Sequence, residues 1–284
     1  MMATLKEHQE VLLELLKEFD RVCRKNNIKY MLFAGTALGA VRHQGFIPWD
    51  DDLDVALLRE DYDKLMKLDA EEWNAEYYMQ CEYSKHWPIH FSKLRKNHTA
   101  CLEKYHPKDN RTHQGIYIDV FPIDNCSNNN AVRKLQFVAS KAVAAKSFSK
   151  RGYDTNSILK KIVLGCSRIF PLKPFYALAT LKKRNGSLYV HSFLGGSIKY
   201  EKGIFEREWF AETVDVTFES IIAPVPKYYH NILNQQYGDY MTLPPEEERK
   251  CKVHAILVDK DKDYTEYEHY RDGMTFDVLT RSIR

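Results

Sequence analysis

The sequence predicts an α+β protein in which helices cover a mixed sheet and a basic helical lobe is attached. Three observations carry that expectation: an amphipathic stripe at the start, β-rich runs between residues 77 and 121, and basic helical segments from about residue 130. With 284 residues, 44% hydrophobic and 29% charged, the chain can build a substantial core, as one unit or two closely packed lobes. Disorder and fibre are thereby excluded.

Leu5, Val11, Leu12, Leu15, Leu16, Phe19, Val22 and Cys23 recur at steps of three and four, which predicts an amphipathic helix over 5–26 covering a sheet. "IKYMLFA" (28–34) reads as a short buried strand broken by Gly35, after which "TALGAVRH" forms one or two helical turns capped by Thr36. Pro48 ends that helix, and "DDLDVAL" (51–57) re-enters as a strand followed by a helix over 59–68. "YYMQC", "IHFSKLR", "TACLE" and "GIYIDVF" read as further strands. Strand-like "TVDVTF" (213–218) and a helix near 227–237 follow later, and the charged tail from Asp259 onward is expected to be exposed.

The total charge is only +3, too small for the whole molecule to act as a polycation. Its distribution is uneven: from Arg133 to Arg184 there are thirteen Lys or Arg against one acid, Asp154, so this segment carries +12 and the rest −9. A lobe boundary near 128 rests on this shift, giving a core over 1–128, a basic helical region over 129–200 and a C-terminal α/β portion over 201–284 that packs on the core. No apolar run approaches the roughly 20 residues of a spanning helix, so the expectation is a soluble or peripheral protein. The six cysteines are scattered without a C-x-x-C pair or secretory leader, which fits a reducing cytosol. The basic stretch lacks the aromatic and glycine pattern of an RNA-binding sheet, so no nucleic-acid partner is expected.

Residues 34–57 hold the chemistry. Alternation along a strand puts the carboxylates of Asp52 and Asp54 on one face and turns Leu53 and Val55 to the other. Two such aspartates suit Mg²⁺ or Mn²⁺, which take oxygen ligands and share them with a substrate diphosphate. Asp50 falls on the same side, whereas Asp51 points away. Gly35 and Thr36, opening a helix, let backbone N–H groups approach a phosphate. A glycine-polar pair opening a helix, followed by Asp-apolar-Asp-apolar, is the signature of a nucleotidyltransferase (polymerase-β-like) fold. The competing readings are a solvated Asp turn and a calcium loop; the latter would have Val55 for its Gly and Asp61 for its final Glu, which disfavours it. In "GIYIDVFPID" (115–124), Asp119 stands between apolar neighbours and is the candidate general base or a shared metal ligand, while Asp124 reads as a turn residue. Arg42, Lys93 and Arg95 are candidate charge clamps for phosphate, and His43 could orient a phosphate or an Asp. Trp49, Trp87, Tyr117 and Phe121 lie near the motifs, and core packing is their expected role.

"GTALGAVRHQGFIPWDDDLDV" (35–55), "GIYIDVFPID" and "YGDYMTLPPEEER…H" (237–254) closely resemble the diagnostic blocks of the LicD family of cholinephosphotransferases, which also includes the fukutin and fukutin-related proteins. The resemblance runs from the first helix to about residue 255 and is weakest over 130–200. It implies a nucleotidyltransferase fold that moves a phospho-alcohol from a CDP-activated donor to a hydroxyl of a surface glycan, releasing CMP. Carried over, Asp52 and Asp54 become metal ligands, Asp119 the third catalytic carboxylate, and Gly35 and Thr36 the phosphate cradle. The cysteine cluster that binds zinc in the fukutin-related protein has no counterpart here, so no zinc is expected.

The resulting expectation is a Mg²⁺-dependent cytoplasmic phosphotransferase that moves phosphocholine from CDP-choline to a teichoic acid, lipopolysaccharide or capsule precursor. CDP-glycerol, CDP-ribitol or a phosphoethanolamine carrier are alternative donors. A nucleotidylyltransferase releasing pyrophosphate is the alternative from another enzyme class. The basic segment 133–184 is expected to dock the acceptor or the membrane carrying it.

Overall fold

The computed structural model describes residues 3–103, 111–153, 155–181, 186–195, 199–249 and 255–270. Helix α1 (Leu5–Lys25) begins with a capping box: Glu7 N–H donates to Thr4 Oγ1, and Thr4 N–H donates back to the Glu7 carboxylate. It buries Leu12, Leu15, Leu16 and Phe19 completely against the sheet. Each such side chain contributes about 1.5–3 kcal/mol.

The main sheet has seven strands. Its central path runs β1 (Met31–Leu32), β2 (Asp54–Leu58), β6 (Tyr117–Cys126), β4 (Ser92–Lys96) and β3 (Tyr77–Gln80). β2 and β6 are parallel, and the other pairs are antiparallel, so the sheet is mixed as expected. β7 (Tyr189–His191) joins the far end of β6 and carries β8 (Ile204–Glu206). Among the other strands, β5 (Ala100–Glu103) pairs with β11 (Ala255–Asp259), and β9 (Thr213–Phe218) with β10 (Ile221–Pro226). One sheet face, with Val55, Leu57, Leu94, Ile118 and Val120, packs with α1. The opposite face sets Ala56, Phe121 and Ile123 among Phe33, Phe205 and Phe210.

Helices α2 (Ala34–His43) and α3 (Arg59–Leu65) flank β2. α4 (Asn130–Lys150), α5 (Ile158–Ser167) and α6 (Leu172–Thr180) form the basic helical region, and α7 (Tyr229–Tyr237) packs near α2. β7 falls inside 129–200 yet extends the main sheet, so that segment is not wholly helical. Asp154 and the cations 182–184 lie outside the described residues, as does the 250–254 end of the third motif block.

Three local expectations are corrected. Thr36 does not cap α2: the helix starts at Ala34, with Phe33 before it making no side-chain cap. Asp124 is not a turn residue, because β6 continues through Pro122 to Cys126. Proline is tolerated there since β4 pairs β6 only up to Val120 and β7 takes over at Asp124, so Pro122 sits where the neighbouring strand changes. Asp259 is not an exposed tail residue but ends β11, nearly fully buried, and accepts from Tyr267 Oη at 2.7 Å.

Candidate active site

Strand β2 begins at Asp54, so Asp52 lies in the loop before it and not in the strand as the alternation implied. Both carboxylates nevertheless reach one cleft of about 820 Å³, together with Asp50, Gly35, Arg42 and Trp49. Asp51 is not among the cleft residues; its carbonyl oxygen lies 3.0 Å from His8 Nε2.

The motif's glycines are demanded by close approach. A side chain on Gly35 would meet the Asp50 carboxylate at 3.1 Å, and one on Gly39 would meet the Gly45 carbonyl at 2.5 Å. Ala34, also on the cleft, has φ +45°, a strained value for a residue with a side chain. Thr36 also acts on the carboxylate cluster: its Oγ1 accepts from Asp54 N–H at 2.8 Å and fixes the start of β2.

Asp54 and Asp119 are register partners on the parallel strands β2 and β6, and Lys93 on β4 is the partner of Asp119 on the other side. Burial, reinforced by the charges of Asp52 and Asp119, pushes the Asp54 carboxyl well above the usual range. Burial also raises Asp119, while the Lys93 ammonium pulls it down. Lys93 Nζ lies 3.1 Å from Asp119 Oδ1 and 3.7 Å from Glu103. Asp119 Oδ1 is buried and has no aligned hydrogen bond.

Lys93 and Arg95 are therefore not phosphate clamps on an open face. Both are buried: Lys93 Nζ sits over the Tyr117 ring and near Trp87 and Phe91. Arg95 donates to Gln80 Oε1 at 2.6 Å and to the Gly115 carbonyl at 2.9 Å. The aromatics Trp87 and Tyr117 thus enclose the protein's own cations. Arg42 does line the cleft, but its Nη1 is anchored on the Tyr240 carbonyl at 2.7 Å and its Nε donates to His43 Nε2 at 3.0 Å. That contact makes His43 a neutral acceptor that steadies Arg42, in keeping with a ring pKa lowered by burial and by Arg42.

The opposite wall of the cleft was not singled out residue by residue in the sequence. Tyr237 ends α7, and Asp239, Tyr240, Glu247 and Glu248 come from the segment after it. The block 237–254 marked the region, but only the fold shows that its described part, 237–249, returns to line the cleft with Asp54. Glu219, in the β9–β10 turn, accepts from Phe46 N–H at 3.0 Å and pins the loop between α2 and β2.

Among the described residues no three His, Cys, Asp or Glu side chains form a ready-made metal cage. The donor set still fits Mg²⁺, which is ordinarily held through one or two carboxylates, its other positions taken by water and substrate phosphates. Asp54, raised by burial and then by the charges of Asp52, Asp119 and Asp50, is the feature a hard cation would relieve.

A mixed α/β sheet that sets Asp54 beside Asp119 on adjacent parallel strands, with Asp50, Asp52 and Asp54 lining one cleft, defines the class of protein: an α/β domain with an acidic site. Residues 27–151 match the family model described as LicD/FKTN/FKRP, nucleotidyltransferase domain. The lipopolysaccharide cholinephosphotransferase LicD of Haemophilus influenzae is 29% identical over 260 residues, 87% of this chain and 95% of that protein. Uncharacterized proteins of Rickettsia prowazekii and Rickettsia typhi are 51% identical over 57 residues (20% of this chain, 21% of that protein) and 56% identical over 50 (18% of this chain, 16% of that protein). The chain is thus similar to the LicD family over residues 27–151 and to one LicD protein over most of its length.

Proposed function

We propose that this chain is a phosphotransferase with a polymerase-β-like nucleotidyltransferase core, moving phosphocholine from CDP-choline to a hydroxyl of a lipopolysaccharide or related surface glycan. The observation that carries this reading is the pairing of Asp54 with Asp119 in register on β2 and β6, beside Asp52, in a chain similar over most of its length to a lipopolysaccharide cholinephosphotransferase.

Asp119 serves as general base. Burial raises its proton affinity above that of an ordinary carboxylate, and the Lys93 ammonium opposes that shift. The acceptor's O–H proton passes to Asp119 as the acceptor oxygen bonds to the choline-bearing phosphorus. The bond from that phosphorus to the bridging oxygen breaks, and its electron pair leaves with CMP. Mg²⁺ held by Asp52 and Asp54, with Asp119 as a further oxygen donor, would neutralise the diphosphate. Gly35 lets the start of α2 approach a phosphate, and Arg42, held on the Tyr240 carbonyl, contributes positive charge to the cleft wall. A cytoplasmic site of action accords with the free cysteines at 23, 81, 101, 126 and 166.

The test is to incubate the purified chain and Mg²⁺ with CDP-choline, CDP-glycerol, CDP-ribitol and CDP-ethanolamine, following CMP release and the mass of a glycan acceptor. CMP with a phosphocholine mass increment supports the reading. Pyrophosphate release from a nucleoside triphosphate, with no CMP from any CDP-alcohol, would replace it with nucleotidyl transfer.

A further inference from the structure

Helix α5 contains Ile158, Leu159, Ile162, Val163 and Leu164, yet the residue it buries is Ser167. Ile158 is 77% exposed, Leu159 71%, and Ile169 in the following turn 88%. Single exposed aliphatics are ordinary, but a contiguous set along one short helix is surface held ready for a cover.

The chemistry around the helix selects that cover. Residues 155–181 contain Lys160, Lys161, Arg168 and Lys173 and no Asp or Glu. A second copy seated face to face would set cations against cations. An anionic lipid surface instead offers headgroups to the cations and hydrocarbon to the aliphatics.

The shape agrees. α5 and α6 together reach the length and hydropathy of a spanning segment, but they are bent by 101° at the turn between them. A turn at hydrocarbon depth would leave backbone groups without partners, so this arrangement suits the plane of the interface. The elbow is fastened from within: Lys146 Nζ, on α4, donates to the Ser167, Arg168 and Phe170 carbonyls at 3.2, 3.3 and 2.6 Å. Behind α5 an apolar groove of about 590 Å³ continues inward past Val163, Leu164 and Phe148 to Phe121, two residues along β6 from Asp119.

We infer that α5 and the turn following it form an in-plane docking face for an anionic lipid bilayer, which seats the protein with the groove toward Phe121 opening at the membrane. The proposal goes beyond the transfer chemistry and needs none of it.

The test is flotation of the full chain with phosphatidylcholine vesicles, with and without phosphatidylglycerol, in low and high salt. Recovery with the anionic vesicles at low salt, at least tenfold lower with neutral ones and reduced by salt, is the expected result. The triple variant Ile158→Ser/Ile162→Ser/Ile169→Ser changes exposed positions, so it should melt like the wild type yet lose at least tenfold in recovery. Lys160→Gln/Lys161→Gln should weaken binding to anionic vesicles and flatten its salt dependence. No recovery with anionic vesicles at low salt overturns the proposal, as does a triple variant recovered as well as the wild type. A wild-type dimer in light scattering that the triple variant converts to monomer, with no vesicle recovery by either, would assign the face to a second copy. Since no nucleotide is used, failure here leaves the proposed transfer untouched.

Discussion

Asp54 and Asp119 occupy the same register position on adjacent parallel strands, but among the described residues only Asp119 has a cation of the protein, Lys93, within ion-pair distance. Two buried carboxylates side by side are costly in each other's field, and this asymmetry makes their substitutions diverge.

Asp54→Asn removes a charge that burial and its neighbours already disfavour. Transfer should fall by more than about 100-fold, while the metal-free protein melts no lower than the wild type. Mg²⁺ should raise the melting temperature of the wild type and not that of the variant. A variant that melts lower without metal and keeps the Mg²⁺ shift would refute the ligand assignment.

Asp119→Asn, by contrast, strands the buried Lys93 ammonium with only the more distant Glu103 at 3.7 Å. Removing one partner of a buried pair costs about 3–5 kcal/mol, and Glu103 should hold the loss near the lower end. Lys93→Met in the same chain should restore much of the stability and none of the activity. Urea denaturation of the two single variants and the double one checks this; additive losses would mean that the pair is not coupled.

How much of this was legible beforehand follows from what covers each residue. Strand alternation announced Asp54 and Asp119 because a carboxylate among apolar neighbours is anomalous in any fold. Alternation also placed Lys93 and Arg95 correctly on one face, but not what closes over it: Trp87, Gly115 and Tyr117 come from other segments. Asp124 was hidden by Pro122, which resembles a strand end. In the fold Asp124 is 0% exposed and paired at 2.7 Å with Arg59, itself 1% exposed on α3. No local pattern links residues 59 and 124. The cleft's far wall was marked only as a motif block, since its distance to Asp54 is set by where α7 packs.

Thr36 offers a narrower test. Its hydroxyl accepts the Asp54 N–H, so Thr36→Val leaves that buried donor unpaired at a cost of about 1–3 kcal/mol. Activity should fall further than stability alone explains, because the start of β2 carries a site carboxylate. Thr36→Ser keeps the acceptor and should retain most of both. Equal activity in the Val and Ser variants, measured well below their melting points, would show that the hydrogen bond does not position Asp54.

Acid sensitivity should come from buried histidines that do not line the cleft. Burial lowers the pKa of His90 to about 4, and of His113 and His191 to about 3, from an ordinary value of 6.5. His191 shows why the neutral ring is required. Its Nε2 lies 2.8 Å from the Ala179 carbonyl, while Nδ1 accepts from Phe193 N–H at 3.2 Å, so a proton on Nδ1 would break the second contact. For each histidine the folded pKa lies below the unfolded one, so the stabilisation is fully present above about pH 6.5. It is lost as the pH falls toward 4, because the unfolded chain takes up protons that the folded chain refuses. Each histidine contributes a slope approaching about 1.4 kcal/mol per pH unit in that window. Urea midpoints at pH 7.5, 6.5, 5.5 and 4.5 should therefore decline increasingly steeply below 6.5. His191→Gln, which cannot titrate, should start lower at pH 7.5 but decline less steeply. A midpoint that stays flat from 6.5 to 4.5 in the wild type would mean that these rings are protonated in the folded protein without penalty.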